Sequence, residues 1–108
     1  MSDLWEILVP TVRKDGRPFH LRYHRLWDEQ VRSLAGGLTI MPVAKGVWTD
    51  PEANIIQERV IPVRIACSEF QIKQIMGFTM AHYDQDAVFA YKVSSTCLIL
   101  RKENLNGS

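Results

Sequence analysis

Apolar residues recur along this chain with two different periods. Residues 4–9, Leu-Trp-Glu-Ile-Leu-Val, form a short β-prone run closed by Pro10, and a turn signal follows at Lys14-Asp15-Gly16-Arg17-Pro18. The period then lengthens. Phe19, Tyr23, Leu26, Trp27, Val31 and Leu34 recur every three or four positions, which places them on one helical stripe, with Arg22, Arg25, Asp28, Glu29 and Arg32 outside it. Gly36-Gly37 ends this helix, because glycine takes the left-handed position after a helix without a Cβ penalty. A second strand opens at Leu38-Thr39-Ile40-Met41 and continues, interrupted at Pro42 and Gly46, to Trp48. After the turn-rich stretch 49–54, a third strand runs from Ile55 to Ile65, so that the two form a long hairpin.

Ser68-Glu69-Phe70-Gln71 has the form of a capping box, and the helix it starts carries Ile72, Ile75, Met76, Thr79 and Tyr83 on one face. Residues 87–91 read as a fourth strand and residues 97–100 as a candidate short fifth, with Ser94-Ser95-Thr96 between them. The order β-α-β-β-α-β predicts an α+β, ferredoxin-like sandwich, an antiparallel sheet with two helices on one face. One domain over residues 1–102 and a polar tail over 103–108 are expected. Pro62 conflicts with a central third strand, since proline belongs at edges, strand starts or bulges. The sequence therefore predicts that residues 55–58 pair only with the second strand, as a protruding arm, and that the central segment starts at Pro62.

In this topology one sheet face has no helix over it. Trp5 and Trp48 are candidates for that face, and a small chain with an apolar open face is expected to bury it against copies of itself. Composition narrows the functions. With 13 Lys+Arg against 12 Asp+Glu, the net charge of +1 gives no basic excess for nucleic acid. The third strand also lacks the aromatics on which RNA-recognition modules stack bases. No apolar run approaches membrane-spanning length and the N-terminus begins acidic, so a cytoplasmic protein with neither membrane nor nucleic-acid partner is expected. Cys67 and Cys97 are too few for a disulfide framework or a thiolate zinc site. His20 and His24 stand four apart without a third local ligand, so neither metal nor cofactor is expected. Phosphate loops and nucleophile elbows do not occur in the sequence.

Two segments are more specific than a core needs. In the long hairpin, Gly46, Trp48 and Glu58 combine a strand glycine, a bulky aromatic and a carboxylate. Glu58 is placed to face a cation in a pocket walled by Trp48, unless Gly46 is merely a bulge and Glu58 pairs with Arg59 or Arg64. At the end of the second helix, Gln85 and Asp86 precede the strand that carries Tyr91, where they either bind a ligand or terminate the helix.

At these residues the chain resembles the small phage enzymes that degrade S-adenosylmethionine (SAM), the SAM lyases. The matching features are Ile7-Leu8-Val9, Gly37-Leu38, Gly46 with Trp48 two residues on, Glu58, Val63-Arg64-Ile65 ahead of Cys67, and Gln85-Asp86-x-Val88-x-x-Tyr91-Lys92. It is also similar to a family of uncharacterised small bacterial ferredoxin-like proteins. The lyase resemblance implies a homotrimer that binds SAM between subunits. The substrate's own carboxylate displaces its sulfonium, giving methylthioadenosine and homoserine lactone. It makes Glu58 the candidate catalytic residue, facing the cationic part of the substrate. By the chemistry of cations and π-faces, Trp48 or Tyr91 would wall the purine or the sulfonium. Gly46, Gln85 and Asp86 complete the expected binding set. The competing expectation is a non-catalytic interaction module that uses the open sheet face.

Overall fold

The computed structural model describes residues 2–103. Its elements are β1 (Ser2–Pro10), α1 (Leu21–Ala35), β2 (Thr39–Ile40), β3 (Ala44–Thr49), β4 (Ile55–Cys67), α2 (Glu69–His82) and β5 (Ala90–Cys97). The five strands form one sheet in the order β2-β4-β1-β5, with β3 also paired to β4 and every pairing antiparallel. Both helices pack on one face, and the fold is ferredoxin-like α+β. Of the polar tail expected over 103–108, residues 104–108 lie outside the described residues. Among the described residues, no helix is long and apolar enough to cross a membrane.

The helices start and stop where local chemistry directs. His20 caps α1, its ring nitrogen accepting from the Arg22 N–H at 3.3 Å, and Gly36 closes the helix at φ 87°. Ser68 and Gln71 form both bonds of the capping box on α2, at 3.1 and 2.9 Å. Between the layers lies a core of Ile7, Val9, Trp27, Val31, Val63, Ile65, Ile72, Ile75 and Tyr83. Trp27 Nε1 donates to Thr79 Oγ1 at 2.9 Å, and the threonine hydroxyl donates in turn to the Ile75 carbonyl at 2.6 Å, so the buried polar atoms of both helices are satisfied. Leu26, expected on the buried stripe, is 48% exposed. Trp5 shares parity with Ile7 and Val9 and packs against the core on the helix side, so it does not belong to the open face.

Strand β4 is unbroken through Pro62, and its centrally paired segment begins at Val60 rather than Pro62. The sheet accommodates the proline through its neighbour. The Met41 N–H donates to the Pro62 carbonyl at 2.9 Å, so the proline's own nitrogen faces the same side. There Ile40 pairs with Val63 and Ala44 with Val60, which sets three residues, 41–43, against two, 61–62. The missing N–H thus falls at a bulge. That bulge also splits the expected second strand into β2 and β3.

Residues 55–59 pair with β3 alone, as an arm beyond the end of β1. The arm stretches the described residues to 57 Å and gives a radius of gyration of 15.9 Å, where a compact chain of this size has about 13 Å. The last strand differs from expectation too. It spans Ala90–Cys97 and includes Ser94-Ser95-Thr96, and the short strand expected at 97–100 is not formed. An edge strand half in solvent does not need an apolar sequence.

Candidate functional site

Strand parity brings together the residues singled out in the hairpin. Gly46 pairs with Glu58 and Trp48 with Ile56, so all four project from the helix-free face of the arm. Trp48 Nε1 donates to Glu58 Oε1 at 2.6 Å. The register runs straight through Gly46, so this glycine is not a bulge; it is small because the indole lies over it. A Cβ there would stand 2.9 Å from Trp48 Cζ2 and 3.1 Å from Cη2. Nor does Glu58 pair with Arg59 or Arg64. Arg64 bonds to Glu6 instead, Nε to Oε1, at 3.0 Å.

Where the arm leaves the body, a groove of about 360 Å³ opens between Trp48 and the segment leading into β5. Leu8, Pro10, Ile56, Val60, Val88 and Phe89 give it an apolar lining, with the Phe89 ring 6.3 Å from that of Trp48. Its charged lining residues are Glu58 and Asp50; neither lysine nor arginine lines it. Asp50 sits at the hairpin turn, where its carboxylate accepts from the N–H groups of Glu52 and Asn54 at 2.9 and 2.8 Å. These bonds, that to Asn54 above all, hold its pKa below the usual carboxylate range. One oxygen of Glu58 is fixed by the indole; among the described residues the other has no hydrogen-bond partner. The arrangement suits a ligand with a positive centre and a flat or apolar body.

The second segment is divided. Gln85 lines the groove, its side-chain amide donating to the Tyr83 carbonyl at 3.0 Å. Asp86 is not part of the groove: it is exposed and pairs with Lys14 at 3.2 Å. Tyr91 lies one step along the sheet from the groove, its ring 5.7 Å from Phe89, and its hydroxyl donates to Glu6 Oε2. That bond raises its pKa, because it is lost when the phenol ionises. Sequence reasoning missed Phe89, Leu8, Asp50 and the buried Glu6. The available signal was parity, since Leu8 and Glu6 alternate with the core residues Ile7 and Val9.

His20 and His24 do not converge. His20 is the helix cap, and His24 Nδ1 lies 2.8 Å from the Tyr83 hydroxyl, with burial lowering the histidine's pKa. Among the described residues, no three His, Cys, Asp or Glu side chains gather as a metal site would need. Cys67 is buried, which pushes its thiol up to about 11.

No protein-family model and no curated protein matches the sequence. Solved structures do match in shape. The divalent cation tolerance protein CutA1 from Thermus thermophilus aligns over 98% of this chain and 93% of its own, with a TM-score of 0.66 and 11% identity. CutA1 from Oryza sativa aligns over 91% of this chain and 83% of its own, with a TM-score of 0.64 and 15% identity. A phage SAM lyase in complex with S-methyl-5'-thioadenosine aligns over 91% and 93%, with a TM-score of 0.62 and 12% identity. CutA1 proteins, a family to which no motif in the sequence points, make up most of these neighbours. The likeness is one of fold: a ferredoxin-like chain whose architecture CutA1 proteins and a SAM lyase share.

Proposed function

We propose that this protein is a homo-oligomer that binds a small cationic molecule in the groove beside Glu58, with SAM as the substrate and lyase chemistry as the reaction. The observation that carries this reading is the Trp48–Glu58 pair, a carboxylate held by the indole N–H at the edge of an apolar groove without a positive side chain. The groove's 360 Å³ is near the lower end of the roughly 300–1,000 Å³ of small-molecule sites, which suits a site completed by a second copy. Exposed apolar residues on the arm and beyond β5, among them Ile55 at 73% and Leu98 at 80%, favour such an assembly. A solved neighbour that holds methylthioadenosine supports the choice of ligand.

In the reaction the substrate carboxylate forms a bond to its own γ-carbon while the carbon–sulfur bond breaks. Sulfur keeps the electron pair and leaves as a neutral thioether, so no proton moves. Positive charge fades from sulfur along this path, so Glu58 attracts the ground state more than the transition state. Its work is therefore binding and orientation, and the rate comes from holding carboxylate and carbon in line. Gln85 and Phe89 bound the groove on the side facing Trp48.

The test is incubation of the purified protein with SAM, with methylthioadenosine read by mass spectrometry and assembly by light scattering. Turnover is expected, and Glu58→Gln should raise KM more than it lowers kcat. Absence of product together with absence of thermal stabilisation by SAM removes the reading. The same exposed apolar residues favour a second reading, a non-catalytic interaction module; a protein that assembles but ignores SAM would support it.

A further inference from the structure

A row of polar side chains crosses the open sheet face from edge to edge. Tyr91 on β5 is directly opposite Glu6 on β1, Glu6 is opposite Arg64 on β4, and Arg64 is opposite Thr39 on β2. Directly opposed residues in antiparallel strands share a face, so the four stand in line on it. On the two central strands the rows beside it are apolar, Leu8 with Pro62 on one side and Leu4 with Ala66 on the other. Glu6 is only 6% exposed although no helix covers this face. A buried carboxylate is costly unless both oxygens are engaged, and here both are: Oε1 accepts from Arg64 Nε and Oε2 from the Tyr91 hydroxyl.

The geometry at Arg64 is informative. The guanidinium spends Nε on Glu6, which fixes its plane, and its side chain remains 40% exposed. Among the described residues, its two terminal nitrogens have no hydrogen-bond partner. A guanidinium held in this way presents its outer pair of N–H groups as a fork, whose spacing matches the two oxygens of a carboxylate or a phosphate. Thr39, exposed and directly opposite Arg64, adds a hydroxyl on the same face.

We propose that Arg64, oriented by Glu6 and flanked by Thr39, is an anion-binding station that takes the carboxylate or phosphate group of a small molecule. Glu6 and Tyr91 are positioning residues; Arg64 makes the contact. The station does not use Glu58 or Trp48, and it holds whether or not the groove takes SAM.

Titration of the protein with sodium acetate, sodium phosphate and, as a control, sodium chloride at constant ionic strength tests it, followed through the Arg64 Nε–H resonance. A saturating shift with acetate, phosphate or both, and none with chloride, is expected; which anion saturates identifies carboxylate or phosphate. Arg64→Lys keeps the charge and the ion pair but removes the fork, and should weaken the apparent affinity about tenfold or more. Tyr91→Phe should weaken it less while broadening the Nε–H resonance, because the carboxylate that orients the guanidinium is no longer held at both oxygens. An equal response to chloride, or an unchanged affinity in a folded Arg64→Lys protein, overturns the proposal. So does loss of assembly by Arg64→Lys with no anion response in the native protein, since the fork would then be serving a second copy of the chain. If Arg64→Lys does not fold, the native titration against chloride decides alone.

Discussion

Replacing Gly46 with alanine separates two opposite effects at one atom. A strand glycine carries a backbone entropy cost, so alanine there would ordinarily add about 0.5–1 kcal/mol of stability. Gly46 is not in the left-handed region, and nothing in its backbone opposes the change. The opposition comes from Trp48, whose ring carbons stand 2.9 and 3.1 Å from where the new Cβ would be. An indole could swing away cheaply were its other side free, but Nε1 is tied to Glu58 at 2.6 Å. Moving the ring stretches that bond, and a hydrogen bond to a charged group contributes about 1.5–3 kcal/mol. Partial exposure of the pair brings this towards the lower figure, and the gain from removing glycine offsets part of what remains. A net loss of about 1 kcal/mol is expected, which lowers the melting temperature by about 4–8 °C in a domain of this size. Calorimetry of Gly46→Ala against the native protein measures it, and the Trp48 indole N–H resonance reports whether the bond is broken. The cost should shrink when Glu58→Gln is already present, because the tether is weaker. A Gly46→Ala protein as stable as the native one, with its Trp48 resonance unmoved, refutes the account.

Three further outcomes follow from the core. Thr79→Val removes the acceptor of the buried Trp27 N–H and should cost about 1–3 kcal/mol, read from urea denaturation. Burial lowers the pKa of His24 in the fold, outweighing the attraction of Asp28, so the unfolded chain binds its proton more readily. Stability from this group is present above its ordinary value of 6.5 and is lost as pH falls through the lowered value; His24→Gln should flatten that slope in melting temperature. Cys67, buried and with its thiol pushed up to about 11, should resist iodoacetamide at pH 8 in the folded protein and react once urea unfolds it.

Much of the fold is legible because its signals are local. Ser68 and Gln71 sit three apart before an apolar stripe, and Gly36 follows one; each position suffices to mark a helix end. Pro62 is legible only in part. Its sequence announces a conflict with central pairing, but the resolution depends on Pro42 lying across the sheet to supply a bulge, and no window of sequence contains both. Strand β5 misleads for another reason: the apolar residues 87–89 line the groove, with Phe89 joined to β1 through its carbonyl, which accepts from the Leu8 N–H at 3.1 Å, while the serines of the strand itself lie at an edge. In the site, Gly46, Trp48 and Glu58 are readable as a set because one hairpin carries them. Tyr91 and Asp86 are placed by partners distant in sequence, Glu6 and Lys14, which period and composition do not reveal.

The two free edges of the sheet are unequal. Along β5 the register with β1 shifts between Ser2 and Leu4 and again between Leu4 and Trp5, and such irregularity keeps another chain from adding a strand there. The β3 edge runs unbroken from Ala44 to Thr49, with Lys45 its one charged residue. Strand addition, wanted or unwanted, is therefore directed to the arm. Because the receiving edge exists once per chain and is not matched by an equivalent edge on the far side, templated growth into fibrils through like-to-like stacking of both edges is suppressed.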